Sequence, residues 1–141
     1  MEYTQLDIIK ALKKSGIVRG DTVFFTTSLG MLGIPKRKKI KSINDICFLV
    51  FVAIKKILGS EGTILVPTYS YSFGNFSKKK LPIFDPLKTP SKIGPFPNFF
   101  RKQKGVIRSI DPMISIAGLG PKATKILKNI PTTSYGKGCV F

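Results

Sequence analysis

The stretch from Gly20 to Gly33 reads GDTVFFTTSLGMLG and decides the fold class. Residues 22–25 are β-branched or aromatic and are bounded by turn residues, so they predict a short buried strand. Hydroxyl residues and a glycine follow directly after it. Ligands of open α/β sheets bind at the carboxyl ends of strands, where small polar side chains and free N–H groups meet. The candidate binding residues are therefore Thr27, Ser28, Leu29 and Gly30, although turn formation explains the same pattern.

A long helix and a second strand complete the unit that this first strand begins. Ser42 is the expected N-cap of the helix, Asp45 completes a capping box, and apolar residues recur at helical spacing as far as Gly59. The continuous apolar run at 63–66 is typical of a strand covered on both faces. Strand, helix and strand in this order predict a βαβ unit with a right-handed crossover. We therefore predict an α/β fold with a mixed or parallel sheet and flanking helices.

Weaker patterns extend the fold on both sides of this unit. Thr4 and Asp7 predict a capped helix over residues 4–15, and the long stretch 74–95 is rich in Lys, Pro and Gly, which favours a loop. Further predicted elements are a short helix at 98–102, a turn that leads into a strand at 105–109, another short strand at 113–117, and a last helix at 121–129 that begins with a proline.

Length and composition predict one domain over residues 1–141, with 43% apolar residues. The longest apolar run, Ile46 to Ile54, is much shorter than the about 20 residues that span a bilayer. The first residues are acidic, unlike the start of a secretory signal, so we expect a cytoplasmic protein without a membrane span. The chain has two cysteines and no histidine that could join them as a zinc ligand, so we expect no metal site.

The net charge of +17 raises the question of an anionic partner. Nucleic acid, a membrane surface and a phosphorylated small molecule all suit a basic domain. The basic residues are mostly lysines spread along the chain, and no nucleic-acid-binding motif accompanies them. We therefore regard nucleic acid as an unlikely partner, and keep a non-catalytic basic binding module as the alternative function.

Taken together, the motifs resemble those of the aminoglycoside 3-N-acetyltransferase family, and they follow the same order over nearly the whole chain. This family comprises acyl-CoA-dependent N-acyltransferases that include antibiotic-resistance enzymes and relatives acting on sugars of surface polysaccharides. The matching segments are Gly20-Asp21-Thr22-Val23, Ser28-Leu29 with Gly33, Gly62-Thr63, Val66-Pro67-Thr68, Phe84-Asp85-Pro86, Thr89-Pro90-Ser91 with Gly94, Phe100-Arg101, Gly105 with Arg108-Ser109, Asp111-Pro112, Ser115 and Gly120-Pro121.

The resemblance implies that acetyl-CoA is the co-substrate. The first loop, with Thr27 and Ser28, and the second rim, with Thr68, would line the channel for the pantetheine arm and polarise the thioester carbonyl. Arg108 and Ser109 would hold a CoA phosphate by charge-assisted hydrogen bonds. An ion pair between Arg108 and Asp111 is the competing interpretation of that arginine.

The resemblance also implies a small-molecule amine as the acceptor, either an aminoglycoside antibiotic or an amino sugar. Tyr69, Tyr71 and Asp111 are the candidate acceptor-binding residues, although aromatic residues in such numbers also serve packing. Asp111-Pro112 stands where the resistance enzymes usually carry His-Pro, and Thr26 stands where they usually carry a histidine. The Asp111-Pro112 form is typical of the polysaccharide-linked relatives, and it weakens the specific assignment to an antibiotic.

The largest departure from the family is in length. Family members are roughly twice as long, and the resemblance places the general base in the C-terminal half, which this chain lacks. The chain has no histidine, and Asp85 and Asp111 are the carboxylates within the matching motifs. We therefore interpret the chain as a truncated, acetyl-CoA-binding half that does not turn over alone, and expect self-association or a complementary half as partner.

Overall fold

A computed structural model describes residues 2–36, 40–74, 83–135 and 137–138. Its helices are α1 (Gln5–Lys14), α2 (Ile43–Leu58), α3 (Pro95–Phe100) and α4 (Ala123–Lys128), with 3-10 turns at Leu29–Leu32 and Tyr71–Gly74. Its strands are β1 (Glu2–Tyr3), β2 (Thr22–Phe24), β3 (Ile34–Pro35), β4 (Thr63–Pro67), β5 (Ile107–Arg108) and β6 (Ile116–Leu119). No helix in the described ranges is long and apolar enough to cross a membrane.

The main sheet has the strand order β2-β4-β6-β5 and is mixed. β2 and β4 are parallel, with Phe24 opposite Leu65, and α2 lies between them in the chain. β6 runs antiparallel to both of its neighbours, β4 and β5. This arrangement confirms the predicted α/β fold and the predicted βαβ unit. A separate parallel pair joins β1 to β3.

The prediction that residues 22–25 form a buried strand is wrong about burial. Thr22 and Phe24 are exposed and Val23 is only half-buried. The reason is the position of β2 at the end of the strand order, where β4 is its one neighbouring strand among the described residues. β4, in contrast, is buried along its whole length, as its apolar run predicts.

Local sequence signals fix both long helices. Thr4 caps α1 and Ser42 caps α2, each in a complete capping box with an aspartate three residues later. α2 packs between α1 and α3 and fills the core on one sheet face. Its buried side chains meet β4 and the phenylalanines of α3, of which Phe96 and Phe100 are almost fully enclosed. Each such side chain contributes about 1.5–3 kcal/mol through apolar burial.

The predicted elements after residue 95 need corrected boundaries. α3 begins at Pro95 rather than at residue 98, because Gly94 and Pro95 start the helix. β6 begins at Ile116 rather than at residue 113, because the Asp111 carboxylate binds the N–H groups of Met113 and Ile114 in a turn. α4 begins at Ala123 and covers the second sheet face. Part of the predicted loop at 74–95 lies outside the described residues, and 83–94 contains neither helix nor strand.

Candidate active-site cleft

A cleft of about 560 Å³ opens at the end of β2. The loop after β2 forms one wall, the first residue of α2 contributes to it, and the segment that starts α3 forms the opposite wall. The lining residues are Thr26, Thr27, Ser28, Leu29, Gly30, Ile43, Ile93, Gly94 and Pro95. The structure therefore brings four predicted site residues, Thr27 to Gly30, together at one cleft.

The hydroxyls of this loop have no partner within the described part of the chain. Thr26 and Ser28 are exposed, and Thr27 is half-buried. None of the three side chains forms a hydrogen bond there, and Ser28 does not cap the 3-10 turn that follows it. Leu29 also lines the cleft, but its side chain is buried and packs in the core. The unpaired hydroxyls are available to a ligand.

Thr68 and Ser109 do not line this cleft. Both side chains are buried and bonded within the sheet region. The Thr68 hydroxyl donates to the Ser115 carbonyl oxygen at 3.1 Å. The Ser109 hydroxyl accepts from the Ile116 N–H at 2.9 Å. In this structure their hydroxyls hold neighbouring strands together.

Arg108 uses all five guanidinium N–H donors within the chain. Nε donates to Ser115 Oγ at 3.0 Å, and Nη2 donates to the Thr68 carbonyl oxygen at 2.6 Å and to Ser70 Oγ at 3.0 Å. Nη1 donates to the carbonyl oxygens of Thr89 at 2.5 Å and Pro86 at 3.4 Å. A CoA phosphate could bind Arg108 only if some of these bonds were broken.

Within the described residues, no carboxylate forms an ion pair with Arg108. Burial, reinforced by the neighbouring Arg101, lowers the pKa of Arg108 to about 10. Its guanidinium also lies over the Phe84 ring, 5.0 Å from the centroid. The alternative pairing with Asp111 is wrong, because the buried Asp111 carboxylate accepts instead from two backbone N–H groups and from Ser134.

The predicted acceptor residues do not meet at the cleft, although two of them contact each other. Tyr69 and Tyr71 form an edge-to-face pair with centroids 5.7 Å apart, and Tyr71 is 52% exposed. Burial raises the pKa of Tyr69, and the nearby phenols of Tyr71 and Tyr135 add to this. Asp111 is only 1% exposed and has its own intrachain partners. None of these residues is among those that line the cleft.

Two further reactive groups of the described chain, Asp85 and Cys47, are engaged or shielded. Asp85 accepts from the N–H groups of Leu87 and Lys88, and Lys88 Nζ lies 3.9 Å from its second oxygen. Cys47 is fully buried, and burial raises the pKa of its thiol to about 11. No group of three or more possible metal ligands occurs among the described residues.

Two features of the site were missed by the sequence reasoning. The wall formed by Ile93, Gly94 and Pro95 comes from a segment far along the chain, and only Gly-Pro at a helix start signalled a defined backbone there. An apolar cavity of about 380 Å³ also adjoins the loop. It shares Thr26 and Thr27 with the cleft and is otherwise lined by Tyr3, Asp7, Ile8, Ala11, Leu12, Phe25, Leu32 and Val50.

Comparison with known proteins gives consistent matches. A family model described as aminoglycoside 3-N-acetyltransferase matches residues 38–141. Aminoglycoside N(3)-acetyltransferase VII of Streptomyces paromomycinus is 25% identical over an alignment that covers 91% of this chain and 46% of that protein. The chain therefore spans about half the length of this curated relative.

Two solved structures share the fold over nearly the whole chain. The YokD protein from Bacillus subtilis has a TM-score of 0.82 at 24% identity, covering 97% of this chain and 58% of its own. A structure described as AAC-IIIb binary with CoASH has a TM-score of 0.80 at 22% identity, covering 99% of this chain and 54% of its own.

Proposed function

Because this chain belongs to the aminoglycoside 3-N-acetyltransferase family, we propose that it forms the acetyl-CoA-binding part of an N-acetyltransferase. The acceptor is an amino group of an aminoglycoside or amino sugar. The observation that carries the proposal is the cleft at the end of β2, with three hydroxyls that have no partner in the described chain. The CoASH in one solved structure of similar fold supports the choice of co-substrate.

The proposed reaction is a direct transfer. The acceptor nitrogen attacks the thioester carbonyl carbon, the C–S bond breaks, and CoA leaves as the thiol after it takes up a proton. Negative charge develops on the carbonyl oxygen in the transition state, and donors placed around that oxygen stabilise it. Thr27 and Ser28 are the donors that we assign to the thioester and the pantetheine amides.

The attacking amine must be neutral, so a general base is needed to remove its proton. The chain has no histidine, and the carboxylates of Asp85 and Asp111 already accept backbone N–H groups. We therefore propose that the base lies outside these 141 residues, on a complementary half or partner. In an acetyl-transfer assay the chain alone is expected to show no turnover.

The test is isothermal titration of the purified chain with acetyl-CoA and, as the control ligand, 3′,5′-ADP. We expect saturable binding that favours acetyl-CoA. Ser28→Ala and Thr27→Val should each weaken it about fivefold, the effect of losing one hydrogen bond of about 1 kcal/mol. The matched control is Ser60→Ala, an exposed serine in the turn before β4 and not a lining residue of the cleft.

A second candidate function rests on the net charge of +17. A non-catalytic basic module would bind polyanions such as nucleic acid through lysines, with an affinity that falls steeply as salt rises. Equal binding of acetyl-CoA and 3′,5′-ADP that disappears in salt would favour this alternative. No binding of acetyl-CoA at any salt concentration would refute the assigned cleft.

A further inference from the structure

We propose that Arg108 is a positioning residue for the cleft, setting the wall formed by Ile93, Gly94 and Pro95 through the segment 84–94. The importance of this wall for ligand binding rests on the proposed function. The role differs from the phosphate contact expected at the sequence level, because the guanidinium acts on the protein's own backbone.

The guanidinium joins three parts of the chain that are distant in sequence. Its bonds to the Thr68 carbonyl oxygen and Ser70 Oγ fix it to the segment after β4. Its bond to Ser115 Oγ fixes it beside the start of β6. The two remaining N–H groups hold carbonyl oxygens of the segment 84–94, at Pro86 and Thr89.

A second set of hydrogen bonds connects the backbone held at Thr89 to the wall of the cleft. Ser70 Oγ donates to the Pro90 carbonyl oxygen at 2.9 Å, one residue beyond the carbonyl that Arg108 holds. The Ser91 N–H donates to Asn98 Oδ1 at 2.8 Å, and Asn98 Nδ2 donates to the carbonyl oxygens of Ser91 at 2.7 Å and Gly94 at 3.3 Å. Gly94 itself lines the cleft.

The conformation held in this way is specific. Gly94 has φ of +136°, a backbone conformation that residues other than glycine rarely adopt. The Lys92 N–H donates to the Tyr69 carbonyl oxygen at 2.8 Å, so the segment is also attached to the chain after β4. Loss of the Arg108 bonds would leave the Thr89 and Thr68 carbonyl oxygens without these donors, and the segment would loosen.

Arginine suits this role better than lysine. A guanidinium presents five donors in a planar fork, whereas an ammonium presents three on a flexible stem. The five acceptors around Arg108 match the fork fully. Arg108→Lys keeps the charge and cannot satisfy all five oxygens, so it separates donor geometry from charge.

The experiment compares Arg108→Lys and Arg108→Ala with the unchanged chain by two readouts. Acetyl-CoA affinity is measured by titration, and hydrogen exchange is measured at the amides of Lys88, Thr89 and Lys92, which are bonded within the held region. We expect both variants to weaken binding about tenfold, or about 1.4 kcal/mol, and to speed exchange at these amides. Guanidinium ion at a non-denaturing concentration should partly restore Arg108→Ala and not Arg108→Lys.

The matched control is Leu127→Ala, which removes a buried side chain of α4 on the opposite sheet face. It should lower the unfolding temperature while leaving acetyl-CoA affinity and exchange at the three amides unchanged. Unchanged exchange and affinity in Arg108→Lys would overturn the proposal, as would equal effects in Leu127→Ala. If the unchanged chain binds no acetyl-CoA, the proposed function fails, and the exchange readout alone decides whether Arg108 holds this segment.

Discussion

Gly120 shows how tightly the chain is packed at single residues. It has φ of +124°, and an added Cβ would overlap the Gly62 carbonyl oxygen and lie 2.7 Å from Thr63 Cα. Both obstacles are backbone atoms of the strand start, which cannot move aside as a flexible side chain can. We predict that Gly120→Ala lowers the free energy of unfolding by about 3 kcal/mol, since overpacking and backbone strain add. Urea denaturation followed by circular dichroism measures this change.

Gly30 provides the comparison for that substitution. It lies outside the positive-φ region, and an added Cβ there would meet no atom within 4 Å. Gly30→Ala should therefore change the free energy of unfolding by less than about 0.5 kcal/mol. Equal losses in the two variants would contradict the close approach of Gly120 to the start of β4.

At the scale of elements, the capping box of α2 links stability to pH. Hydrogen bonds from the Lys41 N–H and from the hydroxyl and N–H of Ser42 hold the pKa of Asp45 below its ordinary value of 3.8. A carboxylate with a lowered pKa in the folded state stabilises that state fully above the unfolded-state pKa, and this contribution is lost as pH falls through the folded-state value. We predict that the urea midpoint falls as pH is lowered through this range, and that Asp45→Asn reduces the fall.

The neighbouring Asn44→Ala serves as the control for this pH dependence. Asn44 is exposed in the same helical turn and carries no charge. The Asn44→Ala variant should show the same dependence of the urea midpoint on pH as the unchanged chain. If Asp45→Asn also shows the same pH dependence as the unchanged chain, Asp45 does not contribute to the loss of stability at low pH.

The same elements show which parts of the molecule can be predicted from sequence. The caps of α1 and α2 and the apolar run of β4 depend on residues close in the chain, so their signals are local. The burial of β2 depends on strand order in the sheet, and its sequence carries no sign that it lies at an edge. The loop after β2 could be proposed as a candidate site because its hydroxyl residues follow the strand directly in sequence. The opposite wall at Gly94 could not, because it comes from a distant part of the chain.

Arg108 is the clearest example of a role that local sequence conceals. Its partners Thr68, Ser70, Pro86 and Thr89 are 19 to 40 residues away along the chain, and three of its five acceptor atoms are backbone carbonyl oxygens. A backbone acceptor leaves no signature in side-chain identity. A motif can therefore mark the arginine as notable, but only the folded arrangement distinguishes a ligand contact from a structural one.

At the scale of the whole molecule, charge opposes folding. The chain carries 24 basic and 7 acidic residues, so the compact state concentrates like charges that repel one another. Salt screens this repulsion, with a Debye length of about 10 Å at 0.1 M. We predict that the unfolding temperature rises between low salt and about 0.3 M sodium chloride, a range in which screening is the main effect of the salt.

A charge-reduced variant distinguishes screening from other effects of salt. Lys102 and Lys104 are exposed in the turn after α3. The double substitution Lys102→Gln and Lys104→Gln removes two positive charges and leaves the buried side chains unchanged. Since fewer like charges remain to be screened, the unfolding temperature of this variant should be higher at low salt and should rise less on salt addition. An equal rise in both proteins would mean that salt acts on apolar burial instead, because that effect does not depend on net charge.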